Sequence, residues 1–106
     1  LEFRRVLFRS NKYVVVHFWA KWNGYDNTMR DILGDLPLKL KETLAIGTLD
    51  TDPSEHHHLC ASHGVRNLPA LALFRDGVHI ETIQTIMGLL PAAELHEKLF
   101  GLVSAD

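Results

Sequence analysis

Sulfur is scarce in this chain. Its 106 residues include one cysteine, Cys60, so no disulfide can form within the chain and no pair of thiols can cycle between oxidised and reduced forms. Long apolar runs are missing as well. No stretch approaches the ~18–20 apolar residues that cross a bilayer as a helix, which argues against a membrane partner. Neither sign of charge dominates: Lys and Arg total 11, Asp and Glu 13, for a formal charge of -2. That balance lacks the basic footprint of a nucleic-acid binder. Repeats, linkers and low-complexity segments are absent, and the length allows one domain. What is present is 46% hydrophobic and 23% charged, the make-up of an ordinary globular domain rather than of a disordered chain or a disulfide scaffold. Histidine is in surplus, with 7 in the chain and three of them adjacent at His56, His57 and His58.

Residues 1–10, LEFRRVLFRS, resemble the translation of a common sequencing-library adapter, CTG GAG TTC AGA CGT GTG CTC TTC CGA TCT, at every position. Such a scar is excluded from fold reasoning. On this reading the natural sequence starts at or near Asn11, without its true N-terminus. Setting aside Glu2, Arg4, Arg5 and Arg9 removes three cations and one anion, leaves the remainder more acidic, and removes the only Arg cluster.

From Asn11 onward the pattern alternates. Residues 13–19, YVVVHFW, are almost continuously apolar and β-branched, as in a strand buried on both faces; His17 is the interruption. Asn23 is a favoured N-cap residue and Asp26 an acid suited to a first helical turn. Met29, Ile32, Leu33, Leu36 and Leu40 then follow at helical spacing. Pro37 should kink that helix or end it early. Leu44–Leu49 reads as a second strand. Asp52, Pro53 and Glu55 mark a helix start, with the acid as cap and the proline first, and Gly64 marks its stop. Residues 70–74, ALALF, form a third strand, and Asp76-Gly77 signals a hairpin. The return strand runs from Val78 to about Gln84, with Val78, Ile80 and Thr82 alternating against His79, Glu81 and Ile83. Gly88 breaks the chain and Pro91 opens a last helix with Ala92, Leu95, Leu99 and Leu102 on its buried face. The order is β-α-β-α-β-β-α, an α/β fold with a mixed sheet.

That order, carried on VVVHFWAKW, WNGYD, LDTDP and GVRNLPALALFRDG, resembles the thioredoxin family. The resemblance covers roughly residues 12–103, without a gap to Gly77 and with a short insertion in the last hairpin. It implies a three-layer α/β/α sandwich from which the family's first βα unit is missing. WNGYD stands where the family has WCGPC. Asn23 and Asp26 therefore occupy the positions of the attacking and resolving thiols, and neither residue is a sulfur nucleophile. His17 stands at the position of the family's buried acid. Leu68-Pro69-Ala70 matches the stretch around the family's cis proline, where backbone groups hold an extended peptide.

The resemblance implies a thioredoxin-like domain without dithiol chemistry, not an enzyme of that class. It would bind a protein or peptide segment in a groove formed by Trp22, Gly24, Tyr25, Leu68, Pro69 and Ala70. No cofactor and no metal are called for. Two other readings stand beside it. Cys60 could serve as the lone thiol of an oxidoreductase, which requires an exposed thiol of lowered pKa. His56, Cys60 and His63 could share a helix face as zinc ligands, although the apolar pattern turns Leu59 and Cys60 inward. A lone cysteine suits the cytosol without excluding secretion. With an edge unit missing, the sheet is expected to expose an edge and to self-associate.

Overall fold

The computed structural model describes residues 13–85 and 89–104; the adapter-like residues 1–10, Asn11 and the Gly88 break lie outside them. Strand β1 (Tyr13–Trp19) is followed by helix α1 (Tyr25–Gly34), helix α2 (Leu38–Thr43) and strand β2 (Leu44–Asp50). A 3₁₀ turn (Ser54–His56) leads into helix α3 (His57–Ser62). Strands β3 (Ala70–Arg75) and β4 (Val78–Ile83) form a hairpin, and helix α4 (Ala92–Ser104) closes the chain.

The sheet runs β2-β1-β3-β4. β1 pairs with β2 in parallel and with β3 antiparallel, so the central strand is the apolar run at 13–19. Period-two alternation splits its side chains between two cores. Tyr13 and Val15 join Met29, Leu33, Leu36, Leu40, Leu95 and Leu99 on the face covered by α1, α2 and α4. Val14, Val16 and Phe18 join Leu49, Ala72 and Phe74 on the face covered by α3, with Leu59 and Cys60 against them. The result is the expected three-layer sandwich.

The expected break at Pro37 is present, and three other local expectations need correction. The apolar stripe from Met29 to Leu40 is carried by two helices. Asp35 N–H closes α1 on the carbonyls of Asp31 and Ile32. Pro37 lacks an N–H to continue it and instead starts α2, its carbonyl accepting from Leu40 and Lys41. The helix after β2 does not begin at Pro53, whose ψ of 131 is extended. It begins at Ser54 as a 3₁₀ turn, and Asp52 does not cap it: the Asp52 N–H donates to Asp50 Oδ1. In β4 the strict alternation fails. The ladder pairs Leu73 with Glu81 and Phe74 with His79, a bulge that takes Ile80 out of register and leaves Val78 and Ile80 exposed. On α4, Leu95 and Leu99 are fully buried but Ala92 is exposed and Leu102 only half-buried.

Two turns behave as read. Gly64, at φ 71, ends α3, with its own N–H donating to Ala61 and that of Val65 to Cys60, a Schellman closure. Asp76 and Gly77 both take positive φ, 51 and 82, as a two-residue hairpin turn requires.

Candidate functional site

The end of β1, the loop into α1 and the loop into β3 meet at one end of the sheet. Asp26 lies in the first turn of α1, where an acid is favoured by the helix dipole, yet it is only 6% exposed. Both of its oxygens are engaged. Oδ1 lies 3.0 Å from His17 Nε2, and Oδ2 accepts from the Ala20 N–H at 3.0 Å. The exchange of residue types is thus paired: two of the three positions that depart from the family pattern, His17 and Asp26, hydrogen-bond to one another. Burial lowers the pKa of His17 and Arg30 pushes the same way, outweighing the hydrogen bond and charge of Asp26. Burial thus favours the neutral form of the ring.

Asn23 bridges two loops. Its Oδ1 accepts from the Tyr25 N–H at 3.0 Å, and its Nδ2 donates to the Leu68 carbonyl at 3.1 Å. The residue at the cap itself is Gly24. Asn23 acts from one position earlier, since an Asx side chain reaches the N–H two residues on. The peptide bond that follows the Leu68 carbonyl, Leu68–Pro69, is cis.

Beside this clamp runs a groove of about 460 Å³ lined by Trp22, Asn23, Tyr25, Leu68 and Cys60, among others. Trp22 is 70% and Tyr25 49% exposed, and the Trp22 indole N–H donates to Asp52 Oδ1 at 3.0 Å. Three of the residues read from the sequence as groove-forming, Trp22, Tyr25 and Leu68, are thus brought together. Gly24 is exposed nearby but does not line the groove. Pro69 and Ala70 are buried behind it, Ala70 because it already opens β3 opposite Phe18. The sequence reading missed Thr51, His57, Val65, Arg66 and Asn67, which also line the groove; their adjacency to LDTDP and to Leu68-Pro69 was the available signal. It missed Gln84 too. The Gln84 Oε1 accepts from the N–H groups of Arg66 and Asn67 at 2.9 and 3.1 Å, and its Nε2 donates to the Gly64 carbonyl at 2.7 Å. One side chain thus fixes the loop that forms the groove wall.

The histidine-rich segment is dispersed. His56 Nδ1 lies 2.6 Å from the Asp50 carbonyl and His63 Nδ1 2.7 Å from the Leu59 carbonyl, while His57 and His58 are exposed. Among the described residues no three His, Cys, Asp or Glu side chains converge as metal ligands. Cys60 is half-buried, and burial pushes its thiol pKa up, the reverse of an activated nucleophile. Among the described residues no helix is long and apolar enough to cross a membrane.

The thioredoxin family model matches residues 1–100, a span that takes in the first ten. A thioredoxin of Pyropia yezoensis is 24% identical over 103 residues, covering 97% of this chain and 92% of its own. A thioredoxin of Listeria monocytogenes is 33% identical over 88 residues, covering 83% of this chain and 81% of its own. Among solved structures, a mutant thioredoxin from Halobacterium salinarum superposes with a TM-score of 0.72 at 26% identity, covering 94% of this chain and 81% of its own. The oxidized mitochondrial thioredoxin 3 of Saccharomyces cerevisiae shares the fold, with a TM-score of 0.73 at 24% identity, covering 94% of this chain and 87% of its own. The chain belongs to the thioredoxin family, as a member whose single cysteine lies outside the WNGYD segment.

Proposed function

We propose that this chain is a thioredoxin-fold binding module that holds an extended protein segment in the groove beside Trp22, Tyr25 and Leu68 and carries out no dithiol exchange. The observation that carries the reading is the state of Asn23 and Asp26. Neither holds sulfur, and each is already committed to the loop through two hydrogen bonds. Nothing at those positions is free to attack a disulfide. The groove itself is open, with two aromatic side chains presented to solvent. Such side chains anchor interfaces at low entropy cost. The Leu68 N–H has no acceptor among the described residues, and the Leu68 carbonyl keeps a second lone pair beside the one taken by Asn23. Both favour strand addition by a peptide.

A second reading uses Cys60, which lines the same groove. A groove-facing thiol could meet a client disulfide, but its raised pKa leaves little thiolate at pH 7. A lone cysteine also suits a reducing compartment such as the cytosol.

Selection of random extended peptides on the immobilised chain tests the binding reading. Peptides should be recovered whose affinity falls about tenfold or more in Trp22→Ala and in Tyr25→Ala, with the far-ultraviolet spectrum unchanged. Peptides that bind both variants as tightly as the parent would place recognition elsewhere and remove the groove from the account.

A further inference from the structure

A second cavity, of about 440 Å³, lies on the other side of Asn23 from the groove, with Asn23 lining both. Its floor is His17, a residue only 3% exposed. Nε2 of that ring is committed to Asp26 at 3.0 Å. Among the described residues the other nitrogen, Nδ1, has no hydrogen-bond partner, and it is not sealed off from the cavity. The ring is buried while this nitrogen opens onto the cavity, so its partner must be water or a ligand held there. Four further polar side chains line the same space: Lys21, Asn27, Arg30 and Thr48. Among the described residues none of them has a side-chain hydrogen bond or ion pair. All four are exposed to solvent, so what marks the cavity is the one buried ring that opens onto it, with these polar side chains within reach of a ligand seated there.

The chemistry of the lining narrows the occupant. With Nε2–H donating to Asp26, a neutral His17 presents Nδ1 as an acceptor, so the ligand must bring an O–H or N–H there. Lys21 and Arg30 supply two cations, and Asn27 and Thr48 add donors. Both oxygens of Asp26 are taken up by His17 and the Ala20 N–H, so its carboxyl does not compete for the cations. We propose that this cavity binds a small oxyanion that also carries a hydroxyl group, the oxyanion held by Arg30 and Lys21 and the hydroxyl donating to His17 Nδ1. A hydroxycarboxylate and a protonated phosphate share that chemistry. The proposal stands independently of the peptide groove.

Two matched pairs of probes test it: glycolate against acetate, and inorganic phosphate against sulfate. In each pair only the first carries an O–H at neutral pH. The chain has two tryptophans, Trp19 and Trp22, and Trp19 lines the cavity. In a Trp22→Phe chain the fluorescence therefore reports this cavity alone. Glycolate and phosphate should change it saturably. Acetate and sulfate should bind severalfold to about tenfold more weakly, the worth of one net hydrogen bond. Arg30→Gln, an exposed substitution, should weaken the better probes by roughly fivefold or more. Saturation by glycolate without phosphate, or the reverse, assigns the source of the oxyanion. In the unaltered chain the His17 imidazole nitrogen resonances should shift with glycolate and not with acetate, a readout independent of whether the tryptophan variant folds. Equal binding of both members of each pair would overturn the proposal. So would a response matching sodium chloride at equal ionic strength, or Arg30→Gln binding as the parent does.

Discussion

Asp26 ties three parts of the site together: the helix it starts, the end of β1 through Ala20, and the buried ring of His17. The pair it forms with His17 has a consequence for pH. Burial lowers the folded pKa of His17 below its ordinary value of 6.5, so in the window between the two the unfolded chain binds more protons than the folded one. Stability from this residue is complete above pH 6.5. It declines as pH falls toward the lowered folded value and levels off below it. Urea unfolding between pH 7.5 and 5 should show that loss, and a His17→Gln chain should show less of it. A parent whose midpoint is flat across this range, or equal loss in His17→Gln, contradicts the assignment of a neutral buried histidine.

At the scale of elements, the groove wall depends on a side chain from the far end of a strand. Gln84, just beyond β4, makes three hydrogen bonds to the loop that precedes β3. Gln84→Ala leaves two N–H groups and a carbonyl to water. It should cost about 1–2 kcal/mol, part of the desolvated value being recovered by hydration. It should also weaken peptides selected on the groove more than an equally destabilising change in α4 does. Equal weakening by both would reduce Gln84 to a structural residue. Much of the fold was legible because its signals are local: β1 from a seven-residue run that is apolar except for one histidine, α3's end from Gly64, the hairpin from Asp76-Gly77. The bulge at Ile80 was not legible, because register is decided by the partner strand and the alternation of β4 alone cannot show an extra residue. The break between α1 and α2 was legible in Pro37, but not that a second helix follows it, since the apolar stripe from Met29 to Leu40 continues across the break. At the site, Trp22, Tyr25 and Leu68 followed from the resemblance. The Asn23–Leu68 clamp and the three bonds of Gln84 join residues far apart in sequence, and no spacing rule reports such pairs.

For the whole molecule, the frame of a thioredoxin is retained while the residues at the two thiol positions hold loops in place. We propose that residues 1–10 lie outside the domain proper. A chain beginning at Asn11 should then unfold at the same urea midpoint as the full chain, and a midpoint lowered by more than about 1 kcal/mol equivalent would show those residues to be part of the folded unit. The central claim, that this family member binds without exchanging disulfides, is tested most directly by protein-disulfide reduction driven by a dithiol reductant. The folded full chain, its Cys60→Ser variant and a variant carrying Asn23→Cys with Asp26→Cys should be measured side by side. The account predicts background turnover for the parent and for Cys60→Ser alike, with turnover rising only when the two thiols are restored. Turnover by the parent that disappears in Cys60→Ser would contradict it and make Cys60 the reacting group.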